Sequence, residues 1–82
     1  MEIPKFKIGD KVVQQISAKN PYHNPMEIVG IISSVTYLSG QWSYIIHAEK
    51  GYVVTNEGKV LNELAYENHN TTANESELEK VG

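Results

Sequence analysis

The chain contains no cysteine, no arginine and a single aspartate. Without cysteine there is no disulfide, no thiolate nucleophile and no Cys-ligated zinc, which excludes a secreted scaffold stapled by cross-links. Without arginine there is no planar guanidinium fork for phosphates or guanine edges. With a net charge of −3, that makes nucleic acid an unfavoured partner. The one aspartate, Asp10, falls in a Gly-Asp turn, where a carboxylate bonds nearby backbone, and no nucleophile, base and orienting group stand together. The expectation is a protein that is not an enzyme. The glycines are isolated and form no phosphate-binding loop, so no cofactor is expected either. The longest run of apolar residues and glycine, Ile28 to Ile32, is far short of the roughly 20 residues that cross a bilayer. The opening Met1-Glu2-Ile3-Pro4 offers neither a basic stretch nor an apolar one, so the expected compartment is the cytoplasm.

What is present is a short chain rich in β-branched and aromatic residues. Its 82 residues suffice for one domain, 1–82. A domain of this size buries only roughly 60–65 % of the surface its unfolded chain exposes. Self-association through a strand edge is the remaining route to more buried area, so a homo-oligomer is one expected state. Lysine without arginine, beside abundant Asn and Ile, points to an AT-rich genome and hence to a bacterial or phage origin.

Along the chain, Phe6-Lys7-Ile8 alternates before the Gly9-Asp10 turn, and Lys11 to Ile16 reads as a first strand. Ser17 to Pro25, with two prolines, Tyr22 and His23, reads as a long loop. Met26 to Tyr37 is long enough for one bent strand, with the bend at Gly30, because glycine inside a strand marks a bulge or a close backbone approach. A turn at Ser39-Gly40 leads to a third strand in which Trp42, Tyr44, Ile46 and Ala48 alternate with Ser43, Ile45 and His47, ending at Glu49-Lys50-Gly51. Tyr52 to Thr55 and Val60 to Tyr66 flank Asn56-Glu57-Gly58-Lys59 as a hairpin. The second arm also has Leu61, Leu64 and Ala65 at helical spacing, so strand and short helix both remain open there. The polar stretch 68–76 reads as a mobile loop. Within it Asn74-Glu75-Ser76-Glu77 has capping-box spacing and opens a helical turn that docks Leu78 and Val81. The expected fold is mostly β, a small SH3-like barrel of about five antiparallel strands with a short C-terminal helical turn.

Phe6-x-Ile8-Gly9-Asp10-x-Val12, Pro25-Met26 leading into Ile28-x-x-Ile31, and Glu77-Leu78-Glu79-x-Val81 follow one another in a characteristic order. In this the chain resembles the small bacterial YodC-like proteins and, more loosely, other SH3-like barrels with a Gly-Asp first turn. The resemblance spans most of the chain and implies an SH3-like fold. It implies no activity, since that family has none established, and a shared fold does not fix a function. The chain departs from the pattern in its longer first loop and in the insertion between Asn68 and Ser76.

His23, His47 and His69 lack the spacing that gathers imidazoles on one metal, so no metal site is expected. The aromatic residues carry more information, because Tyr and Trp dominate binding hot spots. Tyr22, Tyr37, Trp42, Tyr44, Tyr52 and Tyr66 far outnumber the single Phe6. A groove between the first loop and the turn after the second strand would gather Tyr22 and Trp42. With Tyr44 and His47 these form the candidate binding set, set against the alternative that half the aromatics merely cover a small core. The first functional expectation is therefore a non-catalytic module that docks a protein partner or its own copies through an aromatic groove or strand edge. The second is an oligomeric binder of a small nucleotide-like ligand, stacking a base on Trp42 or Tyr44 with Lys11 or Lys50 near phosphate. Nucleic-acid binding stands third. The short acidic run Glu75, Glu77 and Glu79 reads either as a solvated turn or as a surface facing a basic partner.

Overall fold

The computed structural model describes residues 3–18, 20 and 22–81, and of 66–68 the backbone only. Five strands and one 3-10 turn make up the chain: β1 Lys11–Ile16, β2 Met26–Leu38, β3 Gln41–Val54, β4 Val60–Asn74, the turn Glu75–Glu77, and β5 Leu78–Lys80. All pairings are antiparallel, in the order β4-β3-β2-β1-β5. Strands β1 to β4 form a meander, and β5, reached through the 3-10 turn, pairs back with β1, the strand order expected of a small SH3-like barrel.

Alternation on β3 sets the inside and the outside. Tyr44, Ile46 and Ala48 are buried while Ile45, His47 and Glu49 face out. The core gathers Phe6, Val12, Ile32, Tyr44, Ile46, Ala73 and Leu78, with Val35 and Trp42 packed against it. Each large apolar side chain so buried stabilises the fold by about 1.5–3 kcal/mol, before the entropy of ordering the chain is set against it.

The bend in β2 lies where the sequence places it. The register with β3 shifts between Val29 and Gly30, and again between Ile32 and Ser34. At the second shift the Ser33 hydroxyl donates to the Ile45 carbonyl at 3.1 Å. The Val60–Tyr66 arm is strand, not helix, since Val60 to Ala65 pairs with Val54 to Lys50.

Three elements differ from their sequence reading. Tyr52–Val54 is not a separate hairpin arm but the continuation of β3, which runs unbroken through Gly51. Residues 68–74 are not a loop but the second half of β4, with 69–74 in register with Ser43–Ala48. Their polarity reflects an outer strand whose buried inward anchor, among the described residues, is Ala73, opposite Tyr44. The C-terminal turn is confined to Glu75–Glu77, where Glu77 Oε1 accepts the Asn74 N–H at 3.2 Å. Leu78 then starts β5 and is buried, whereas Val81 remains exposed.

Hydrogen-bonded pairing stays open between β4 and β5, and one side chain bridges that seam. Gln14 on β1 is buried. Its Nε2 donates to the Thr72 carbonyl at 3.2 Å and to Glu77 Oε2 at 3.3 Å, while its Oε1 accepts from the Thr71 hydroxyl at 2.8 Å. The two acceptor-only partners and the hydroxyl donor fix which way the amide points.

Candidate functional site

The four residues singled out in the sequence do not converge. Tyr22, in the loop before β2, is 92 % exposed, its backbone N–H bonded to Asn20 Oδ1 at 2.9 Å. Trp42 pairs with Tyr37 near the far end of β2. A 13-residue strand spans roughly 40 Å when straight, so the first loop and the β2–β3 turn lie at opposite ends of the barrel. Among the described residues, neither cleft that borders Trp42 is lined by Tyr22. His47 is exposed on the outer face of β3, with Nδ1 3.3 Å from Asn70 Oδ1. The Tyr66 side chain lies outside the described residues.

Tyr44 is in the core, with none of its surface accessible. Its ring meets Phe6 edge to face at 5.6 Å, and its hydroxyl accepts the Phe6 N–H at 3.4 Å. Burial pushes the phenol pKa up and the nearby Glu75 carboxylate adds to the rise, against the opposing Phe6 hydrogen bond. The folded chain therefore holds this proton more tightly than the unfolded chain does. Stability is complete below pH about 10, the ordinary tyrosine value, and declines as pH rises through the raised folded value. Tyr44→Phe should flatten that alkaline decline, as read from urea midpoints at neutral and strongly alkaline pH. Equal declines in both proteins would show that Tyr44 is not its source.

The surface with binding character lies at the Trp42 end. Ser39 and Gly40 connect β2 to β3 with φ of 52° and 80°. Two successive positive φ values are the signature of a type I′ turn, whose twist matches the flanking strands. That tight turn sets Leu38 opposite Gln41 and Tyr37 opposite Trp42. The two rings meet at 4.8 Å and 64°. Tyr37 and Leu38 are exposed, while the Trp42 indole leans on the core. Trp42 Nε1 is buried with no hydrogen-bond partner among the described residues, a state that costs about 1–3 kcal/mol.

Trp42 also borders two clefts. One, of about 230 Å³, is lined by Gly40, Gln41, Trp42, Asn74, Glu75 and Ser76. The other, of about 340 Å³, runs past Leu38, Ser43, Thr72 and Glu77. Gln41, Trp42 and Asn74 border both. Of the four candidate binding residues only Trp42 belongs to this surface, joined by Glu75 and Glu77 of the short acidic run. Tyr37, Leu38 and Gln41 were within reach, because a two-residue turn at Ser39-Gly40 dictates their pairing. Glu75 and Glu77 arrive through the tertiary fold, on the 3-10 turn.

Among the described residues no three His, Asp or Glu side chains gather as a metal site, and no helix is long and apolar enough to cross a membrane. Comparison with protein-family models, with curated proteins and with solved structures finds no match to this chain.

Proposed function

We propose that the chain is a non-catalytic docking module that takes a protein partner at the Trp42 end of the barrel. The observation that carries this reading is the Tyr37–Trp42 pair, set beside a tight turn with exposed Leu38 next to it and two clefts bordering Trp42. Aromatic anchors on preorganised backbone lose little entropy on binding, which is why such residues dominate interface energetics.

The nucleotide reading has less support. Tyr44 offers no face to a base. Lys11 and Lys50 pair with Ile31 and Val29, six and eight residues along β2 from Tyr37, roughly 20 Å or more away at strand spacing. A base on Trp42 would leave its phosphates far from either lysine.

Replacing exposed Leu38 by Glu puts a charge on the docking surface and should change stability by no more than about 0.5 kcal/mol. In affinity capture from the native host with quantitative mass spectrometry, Leu38→Glu should lose a partner that wild type and Tyr22→Ala both retain. Loss with Tyr22→Ala instead would move the site to the first loop. Equal recovery by all three proteins would defeat the reading.

A further inference from the structure

We infer that the Trp42 surface selects a basic side chain, lysine or arginine, as its partner's anchor, an inference that rests on the docking reading above. The two clefts beside Trp42 each contain one carboxylate, Glu75 in the first and Glu77 in the second, and no lysine lines either. Two acids away from these clefts do meet cations: Asp10 lies 3.9 Å from Lys80 Nζ, and Glu63 lies 3.8 Å from Lys50 Nζ. Glu75 and Glu77 have no such ion pair among the described residues.

Both carboxylates are instead held in place by neutral donors. Glu75 Oε2 accepts the Lys5 backbone N–H at 3.0 Å. Glu77 accepts from the Asn74 N–H through one oxygen and from Gln14 Nε2 through the other. These bonds orient the two groups, and among the described residues no cation pairs with either carboxylate in the clefts that border Trp42. A cation is attracted both by the face of an aromatic ring and by a nearby carboxylate, and a guanidinium or ammonium on an apolar stem also suits exposed Leu38. An acidic partner would meet repulsion from both carboxylates. A neutral apolar anchor would leave the carboxylates unused.

The test is titration of the full chain with N-acetyl-arginine amide and N-acetyl-lysine amide, with N-acetyl-glutamine amide as the neutral probe. Two-dimensional nitrogen–proton NMR would follow the indole N–H of the chain's one tryptophan and the backbone of Gly40–Trp42 and Asn74–Ser76. The cationic amides should shift these signals to saturation, and added salt should weaken the effect. Glu75→Gln, which retains an oxygen for the Lys5 N–H, should weaken binding about threefold to fivefold, the range of one exposed charge pair. An unchanged melting temperature of that variant separates lost attraction from lost fold. An equal response to the neutral amide, no response to the cations, or an unchanged affinity in Glu75→Gln would overturn the inference. If Leu38→Glu still loses its partner while the cationic amides do nothing, the docking surface stands and the basic anchor alone falls.

Discussion

Gly30→Ala is expected to lower stability by about 3 kcal/mol, and Gly30→Val to prevent folding. Gly30 is buried in β2, opposite Ala48 and beside a register shift. A Cβ built on it would press on the carbonyl oxygen of His47, lie 2.7 Å from Ile46 Cγ2 and 3.0 Å from Ala48 Cα. Two of those three atoms are backbone of the paired strand, so no rotamer change makes room. Strands β2 and β3 would have to separate in the middle of the ladder that carries Ile32, Tyr44 and Ile46 into the core. An 82-residue domain has about 4–12 kcal/mol of total stability, so a methyl group here removes a large share of it. Gly40→Ala is the informative contrast. Nothing lies within 4 Å of its added Cβ, and only its φ of 80° resists substitution, a penalty of about 1–2 kcal/mol. Urea unfolding followed by circular dichroism should rank wild type first, Gly40→Ala next and Gly30→Ala last. A Gly30→Ala midpoint at or above that of Gly40→Ala would refute the close approach.

Gly30 also shows which features of this fold can be read from sequence. A glycine between Val29 and Ile31 has no local reason to be there, so a bulge or backbone contact is the natural inference. The alternation of Trp42, Tyr44, Ile46 and Ala48 likewise names the inward face of β3 directly. What fails is inference from polarity. Asn70-Thr71-Thr72-Ala73-Asn74 reads as loop because strand preference in an outer strand comes from pairing and from one buried side chain, not from the run as a whole. The same limit governs the site. Trp42 is visible as an anchor from residue type alone, but Tyr44 has the same alternation and the same chemistry and is wholly buried. The side of the barrel to which the first loop belongs follows from strand length and pairing, so its separation from Trp42 emerges only with the three-dimensional structure. Glu75 and Glu77 are visible in the sequence as a short acidic run, but their place beside the β2–β3 turn emerges only with the 3-10 turn.

Gln14 carries the other large expectation, because it ties the barrel shut without a strand pair. Its amide satisfies Thr71, Thr72 and Glu77 at once. Gln14→Leu keeps the volume but strips all three partners of a bond in a part-buried site, so a loss of about 2–4 kcal/mol is expected. Gln14→Glu probes the same seam by charge. At neutral pH the new carboxylate would face the Thr72 carbonyl and the Glu77 carboxylate, two acceptors that an ionised group can only repel. Its folded pKa should therefore rise above the ordinary glutamate value of about 4.3. A carboxylate with a raised folded pKa destabilises the fold above that pKa, and the penalty vanishes as pH falls through it. Gln14→Glu should accordingly regain stability on mild acidification, while Gln14→Leu stays equally impaired at both pH values. Since Glu77 lines the second cleft, opening the seam should also shift the NMR signals of Trp42 and Ser43 in both variants. If Gln14→Glu shows no acid recovery, Gln14 does not face these acceptors, and the barrel is held closed by core packing alone.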